Sequence, residues 1–409
     1  MNDTVSIGSS PRRIRQNNIV AALQTIYAHR SLSRADLARK LGMNRSSSGE
    51  IVAELTEGGF VQESDESGKQ RLEHSRAGRP GIMLELVPDA AFFVGIEIGV
   101  EHISAAVVDL SAEVRACRKI AFDTMSSTVE EAVARGVELI VGAMAKGMIG
   151  RCKGLGISAP AHIRPDGIVT LAPIIGWREV SLKEIGRSAF LAAFPAAVPI
   201  AVENDANAFA IGDSYRHGVS GVTLFLLMET GVGGGIMIDG KLFRGGHGLA
   251  GEIGHTLVPG SGGQKFEQLI GREVLIRQYR EAIGRKHVDL QEFLGDVHDR
   301  VPAAVNIAET WSRHLAYALL QACRLLDPDR IVLGGSVATL YPMVAARVAV
   351  HMSEGQNIPF PTPEIVVDDD AEFGSAFGAA CMLHQRFLSL ESEEFGGGED
   401  GAPVQSATS

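Results

Sequence analysis

Cysteine is scarce in this 409-residue chain. The four present, Cys117, Cys152, Cys323 and Cys381, form no CxxC pair and stand far apart, which excludes a disulfide framework and a cysteine-rich zinc site. No apolar run reaches the roughly 18 residues that cross a bilayer, and the opening stretch, residues 1–16, lacks the apolar core of a secretory signal. The expected compartment is therefore cytoplasmic, with no membrane partner. Repeats at a solenoid period are missing too. Hydrophobic residues at 45% and charged residues at 21% are ordinary for folded domains and exclude a mostly disordered chain. The length calls for two or three domains. A cationic surplus is also lacking: the net charge of −11 by itself argues against nucleic acid.

The charge is unevenly spread. Residues 1–86 hold 12 Lys+Arg against 10 Asp+Glu, leaving 26 against 39 for residues 87–409. A weakly basic head on an acidic body suggests a small polyanion-binding module fused to something else. In the head, the spacing predicts a helix over 14–29 with Ile19, Leu23 and Ile26 on one face. A second helix begins after Ser33, an N-cap with Asp36 three residues on, and stops at Gly42. Asn44 caps a third, Arg45 to about Glu57, with Ile51, Val52 and Leu55 inward. Two helices joined by Gly42-Met43-Asn44 fit a helix-turn-helix. The alternating stretches 60–62 and 82–86 read as two short strands of a wing. Between them the polar segment carries Arg76 and, at an Ala77-Gly78-Arg79-Pro80 tip, Arg79, suited to a narrow minor groove. The groove-facing start of the third helix would be Arg45, Ser46, Ser47 and Ser48, able to reach guanine or phosphate. Glu50 opposes phosphate there unless it accepts from a cytosine amino group. A three-helix bundle that binds a protein is the competing reading.

After Pro88 strands alternate with helices. Strand 92–99 turns into strand 102–108, a helix spans 128–146, and strands cover 154–158, 199–203 and 223–228. The glycine-rich run 230–235 follows the last of these, and strand 331–335 opens a second glycine turn. Glycine turns at strand ends imply an α/β body with ligands at the carboxyl ends of strands. The helix 309–326, with Trp311, Leu315 and Leu319 on one face, reads as core. The acidic, glycine-rich tail 391–409 reads as disordered.

The segments GIEIGVEHISAAVVDL, ENDANAFA, ETGVGGGIMIDGKLFRGGHGLAGEIGH and IVLGGSVA resemble, in order and spacing from about residue 90 to 385, the ROK family of repressors, open reading frames and sugar kinases. With the winged head in front, the chain resembles the family's sugar-responsive repressors. The resemblance implies an α/β, two-lobed body of the actin and sugar-kinase (ribonuclease H-like) type behind an α+β winged helix-turn-helix domain. The expected boundaries are 1–88 for the head, 89–202 for the first lobe (completed by about 375–390) and 203–374 for the second, sugar-binding lobe. It also implies roles by position. Asp205 matches the carboxylate that takes a proton from the sugar hydroxyl in the kinases, and Asn204 holds a neighbouring hydroxyl. Glu252, His255 and Glu267 match further sugar contacts. Carboxylates and an amide suit a polyol because each accepts from or bridges adjacent hydroxyls. The plainer alternative is that Asp205 and Glu252 merely cap helices.

Three departures from the family pattern narrow the expectation. The first phosphate turn, Asp-x-Gly-x-Thr in the kinases, is here Glu97-Ile98-Gly99-Val100-Glu101. Two unit charges about 4 Å apart repel by roughly 4 kcal/mol at an effective dielectric near 20, so Glu101 should disfavour ATP, and Glu229 adds a carboxylate before the second turn. The family's zinc pairs the histidine of GEIGH with three cysteines; the corresponding run here, residues 259–265, has none, so no metal and no other cofactor is expected. Ile174 replaces a sugar-contacting asparagine, which suits a smaller or less hydroxylated sugar. The resulting expectation is a non-catalytic, sugar-responsive transcriptional regulator, a repressor of carbohydrate genes. It would bind operator DNA as a homodimer or homotetramer on an inverted repeat. An ATP-dependent sugar kinase with an accessory head, and a constitutive DNA-binding protein, are the alternatives.

Overall fold

A computed structural model describes residues 11–64, 82–218, 220–356, 361–368 and 371–389. The chain divides into two compact units: residues 1–92 with 109–113 and 384–409, and residues 93–108 with 114–383. The first unit thus takes in chain from beyond the expected boundary at residue 88.

In the first unit, α1 (Pro11–His29) opens on a proline, which loses no hydrogen bond in a first turn. It buries Ile19, Leu23 and Ile26. A short strand β1 (Ser31–Ser33) leads into α2 (Arg34–Lys40). Ser33 caps α2, its Oγ accepting the Asp36 N–H at 3.1 Å. Asp36 reaches the Ser33 hydroxyl at 2.7 Å, one methylene short of the glutamate that completes a capping box. Gly42, at φ +63°, turns the chain out of α2. Asn44 caps α3 (Arg45–Glu57), its Oδ1 accepting the Ser47 N–H at 2.8 Å. β2 (Val61–Ser64) and β3 (Met83–Leu86) pair antiparallel, and β1 adds to the other edge of β3. Leu37, Ile51, Val52, Leu55, Leu84 and Leu86 close the core. The end of the chain packs in the same unit: Tyr27 lies 5.0 Å from the His384 ring, and Phe60 lies 5.9 Å from Phe387. Arg76 and Arg79, and the tail 391–409, lie outside the described residues.

The second unit holds two five-stranded sheets. The first is built from β4 (Phe92–Ile98), β5 (His102–Asp109) and β6 (Val114–Ala121). After α4 (Val129–Ala143), capped by a full Thr128–Glu131 box, and α5 (Lys146–Ile149), it is extended by β7 (Cys152–Ala159). A small sheet of β8 (His162–Ile163), β9 (Val169–Ala172) and β10 (Trp177–Val180) intervenes. Then come α6 (Leu182–Ala193) and β11 (Ile200–Asn204), which runs parallel to β7. The strand order is β11-β7-β4-β5-β6.

Helix α7 (Asp205–His217) crosses to the second sheet, where Ala206, Phe209 and Ala210 pack with Phe225, Leu227 and Val332. That sheet starts with β12 (Val222–Met228), β13 (Val232–Ile238) and β14 (Lys241–Leu242). Helices α8 (Glu267–Ile270), α9 (Arg272–Ile283), α10 (Leu290–His298) and α11 (Pro302–Leu326) follow. β15 (Arg330–Gly334), α12 (Tyr341–Glu354), β16 (Glu364–Val367) and α13 (Gly374–Phe387) complete the regular elements among the described residues. The order is β14-β13-β12-β15-β16. Both sheets therefore place their first three strands side by side and add a fourth and fifth on the far side of the first. This is the two-lobed α/β architecture that the resemblance implies. Trp311 anchors the helical layer, its indole N–H donating to Ile270 O at 3.1 Å. α13 lies so close on β4 that a Cβ at Gly95 would sit 1.9 Å from Ala376 O.

The glycine run after β12 departs from its expected form. Gly233, Gly234 and Gly235 are not a free loop but lie inside β13, paired with Leu227, Leu226 and Phe225. A Cβ at Gly234 would meet Gly251 O at 2.2 Å. The run admits a close backbone approach from the Gly251 loop, which carries Glu252.

Candidate ligand cleft and DNA-facing helix

A cleft of about 260 Å³ opens where the two lobes meet, just below the usual range of about 300–1,000 Å³ for ligand sites. Asn204, Asp205, Glu252, His255 and Glu267 all line it, as does Ile174. The strand-to-helix junction β11–α7 supplies the first pair. Asn204 Oδ1 accepts the Asn207 N–H at 3.1 Å, and its Nδ2 donates to Ala161 O at 3.3 Å. Asn204 thus caps α7 and ties down the loop after β7, a structural task added to the expected hydroxyl contact. Asp205 follows as the first helical residue, its Oδ1 accepting the Ala206 N–H at 2.8 Å. Burial pushes its carboxyl up to about 7, with the charges of Glu97 and Glu252 adding to the shift and the Ala206 N–H opposing it. Glu252 precedes a short 3₁₀ turn (Ile253–His255) but makes no side-chain capping bond. The N-cap of α7 is Asn204, with Asp205 satisfying the adjacent Ala206 N–H of the first turn, and Glu252 makes no capping bond.

The remaining side chains converge. His255 Nε2 stands 3.6 Å from Glu267 Oε1, and its Nδ1 stands 3.9 Å from Glu252 Oε2. Lys265 Nζ lies 3.9 Å from Glu267. His162, from β8, brings its Nε2 to 3.9 Å from Glu252 Oε1. Sequence reading missed His162; its place just past the carboxyl end of β7 is the one local signal that marks it. The zinc implied by the family resemblance does not fit these residues. The four cysteines sit on β6, β7, α11 and α13, which leaves His255 without its sulfur partners.

At the end of the cleft where the resemblance implies a nucleotide, the chain's own groups pair with one another. Glu101 is not the lone charge that sequence reading pictured: it pairs with Arg272 at the start of α9, and Arg272 Nη2 also reaches Thr230 Oγ1 at 3.4 Å. Glu229 accepts from the Ser336 N–H at 2.7 Å and from the Ser336 hydroxyl at 2.6 Å. Its carboxylate thereby takes the backbone donor of the turn after β15, a donor suited to an anionic ligand. Glu97 accepts from Ser104 Oγ at 2.6 Å and faces His102 at 3.6 Å. Burial pushes its carboxyl up, but these two partners and Lys119 outweigh burial and hold it below the usual range.

On α3, Arg45 and Ser46 are exposed, and Arg45 meets no carboxylate among the described residues. Ser47 is half-buried, and its N–H is spent on the cap. Ser48 corrects the sequence reading: it is 3% exposed, on the face of Ile51 and Val52, and cannot reach a groove. Helical spacing explains it, since Ser48 lies three residues before Ile51 and four before Val52. Elsewhere on the unit, Arg15 pairs with Glu54 at 2.6 Å, and Arg34 pairs with Glu63.

Comparison with known proteins follows the same lines. The ROK family pattern matches residues 93–386. A xylose repressor of Bacillus spizizenii (strain ATCC 23059 / NRRL B-14472 / W23) is 24% identical over 92% of this chain and 97% of its own. A xylose repressor of Caldicellulosiruptor bescii (strain ATCC BAA-1888 / DSM 6725 / KCTC 15123 / Z-1320) is 30% identical, but over 60% of this chain and only 59% of its own length. The crystal structure of a ROK family transcriptional regulator, a homolog of the E. coli MLC protein, superposes with a TM-score of 0.69 at 20% identity, covering 92% of this chain and 98% of that one. With the family pattern spanning well over half its residues, the chain belongs to the ROK family.

Proposed function

We propose that the protein is a sugar-responsive transcriptional repressor whose two-lobed body binds a monosaccharide and no longer phosphorylates it. The observation that carries this reading is the contrast between the two sides of one cleft. On one side Asp205, Glu252, His255 and Glu267 face open space. On the other, Glu101–Arg272 and Glu229–Ser336 satisfy each other. A nucleotide would have to break both arrangements before its phosphates found a donor. The small cleft and Ile174 favour a sugar with few hydroxyls. Repressor relatives that match nearly end to end support the DNA-binding half, as does Arg45 at the exposed start of α3. The partners in this reading are operator DNA with inverted half-sites and a second copy of the chain, and the setting is cytoplasmic.

The kinase reading retains one point in its favour: Asp205, the expected base, is held near neutral pKa, where a general base works well. The two readings separate cleanly. A thermal-shift screen of the full chain against monosaccharides should find a stabilising sugar. Incubation with that sugar and magnesium-ATP should yield no sugar phosphate above background. Turnover that disappears in Asp205→Asn would overturn the non-catalytic part.

A further inference from the structure

We propose that His162, Glu252 and His255 bind a divalent transition-metal ion within the cleft, at a site that uses no cysteine. One donor atom from each of the three lies within 4.8 Å of the other two. Metal–nitrogen and metal–oxygen bonds of about 2.0–2.2 Å put the donors of one ion roughly 3–4 Å apart. Both His162 Nε2 and His255 Nδ1 stand 3.9 Å from Glu252 oxygens, so small side-chain rotations close the set. No hydrogen bond among the described residues holds these three side chains elsewhere. The two imidazole rings lie 6.0 Å apart at 30°, which lets both nitrogens aim at a common point beside the carboxylate.

Two further features point to a cation. His255 turns its other nitrogen, Nε2, to Glu267 at 3.6 Å. A metal-bound histidine characteristically donates its second N–H to a carboxylate, which fixes the tautomer and strengthens the ligand, and Glu267 stands just beyond hydrogen-bond distance for that role. The cleft also gathers six carboxylates but only Lys265 and Arg272 as fixed cations. A divalent ion at the Glu252 end would relieve the excess that pushes Asp205 up. Two histidines and one glutamate are a zinc donor set that leaves a position open. If the cleft holds sugar, a claim that rests on the reading above, a sugar hydroxyl would take that position.

The test uses the full-length protein stripped with EDTA and titrated calorimetrically with zinc chloride at pH 7.5. The result expected is one zinc per chain with at least micromolar affinity. Cobalt(II) chloride should give a visible absorption band that excess zinc removes. His162→Ala, checked by circular dichroism for an intact fold, should cost at least tenfold in zinc affinity, as should Glu252→Gln. Absence of zinc binding by the parent protein overturns the proposal, and so does zinc binding that both variants retain. A parallel sugar thermal shift in EDTA separates the two claims: a stripped protein that binds sugar but never zinc loses the metal site and keeps the regulator reading.

Discussion

Asp205 sits in a cleft where burial and the charges of Glu97 and Glu252 disfavour its ionised form. Its carboxyl titrates near 3.8 in the unfolded chain and at about 7 when folded. The native state therefore holds a proton that the unfolded state has lost between these values. The favourable contribution is complete below about pH 4 and is lost as pH rises through 7. A shift of that size corresponds to at most about 4 kcal/mol, and water reaching the cleft trims it to roughly 1–2 kcal/mol. Asp205→Asn should therefore raise the unfolding free energy of the sugar-free protein at pH 8 and flatten its decline between pH 4 and 7. Urea melts across that range check it; a variant no more stable than the parent at pH 8 removes the cause assigned here. Asp205, Glu252, His255 and Glu267 were legible because the family resemblance orders them along the chain. His162 and Arg272 were not, because each meets its partner only after β8 and α9 are folded; the place of His162 just past β7 is a local signal, but it does not name the partner.

At the level of elements, most of the head could be read directly. Helix caps at Ser33 and Asn44 and the turn at Gly42 are local chemistry, and the structure places them as spacing predicts. Ser48 shows that the amino-terminal end of α3 is not uniformly exposed. Its hydroxyl is buried without a hydrogen-bond partner among the described residues, so Ser48→Ala should leave operator affinity unchanged. It should be neutral to stability or gain up to about 1 kcal/mol. Arg45→Ala, one turn earlier and exposed, should weaken operator binding at least tenfold at fixed salt. Gel shifts on both variants with an operator recovered by in vitro selection test the pair. If Ser48→Ala is the damaging one, α3 does not face DNA through its amino-terminal turn. β13 shows the opposite limit of legibility. A run of glycines reads as a phosphate loop in sequence, whereas its physical cause is a strand pressed against the Gly251 backbone, a contact between distant segments.

At the scale of the molecule, the two sheets share one strand order although nothing repeats in the sequence. The order follows from chain connectivity, while side chains only need to be apolar on the buried faces, so sequence identity between the lobes is free to vanish. What the lobes enclose must still act as a switch if the regulator reading holds. Sugar releases operator only if it binds the DNA-free state better than the DNA-bound one. On that reading Asp205→Ala and Glu252→Ala would each remove an acceptor for sugar hydroxyls, and losing a charged hydrogen bond costs about 1.5–3 kcal/mol, or roughly ten- to a hundredfold in affinity. Neither residue belongs to the unit that carries α3, so operator affinity without sugar should stay within about twofold of the parent. Both variants should therefore repress normally and fail to release operator at a sugar concentration that releases the parent. Calorimetry with the sugar found by thermal shift comes first, and gel shift with and without sugar follows. Sugar binding at parental affinity in both variants would remove the cleft as the effector site. Loss of operator binding in the absence of sugar would instead assign Asp205 and Glu252 to holding the fold together, since a damaged body would then disable the head whether or not a ligand is present.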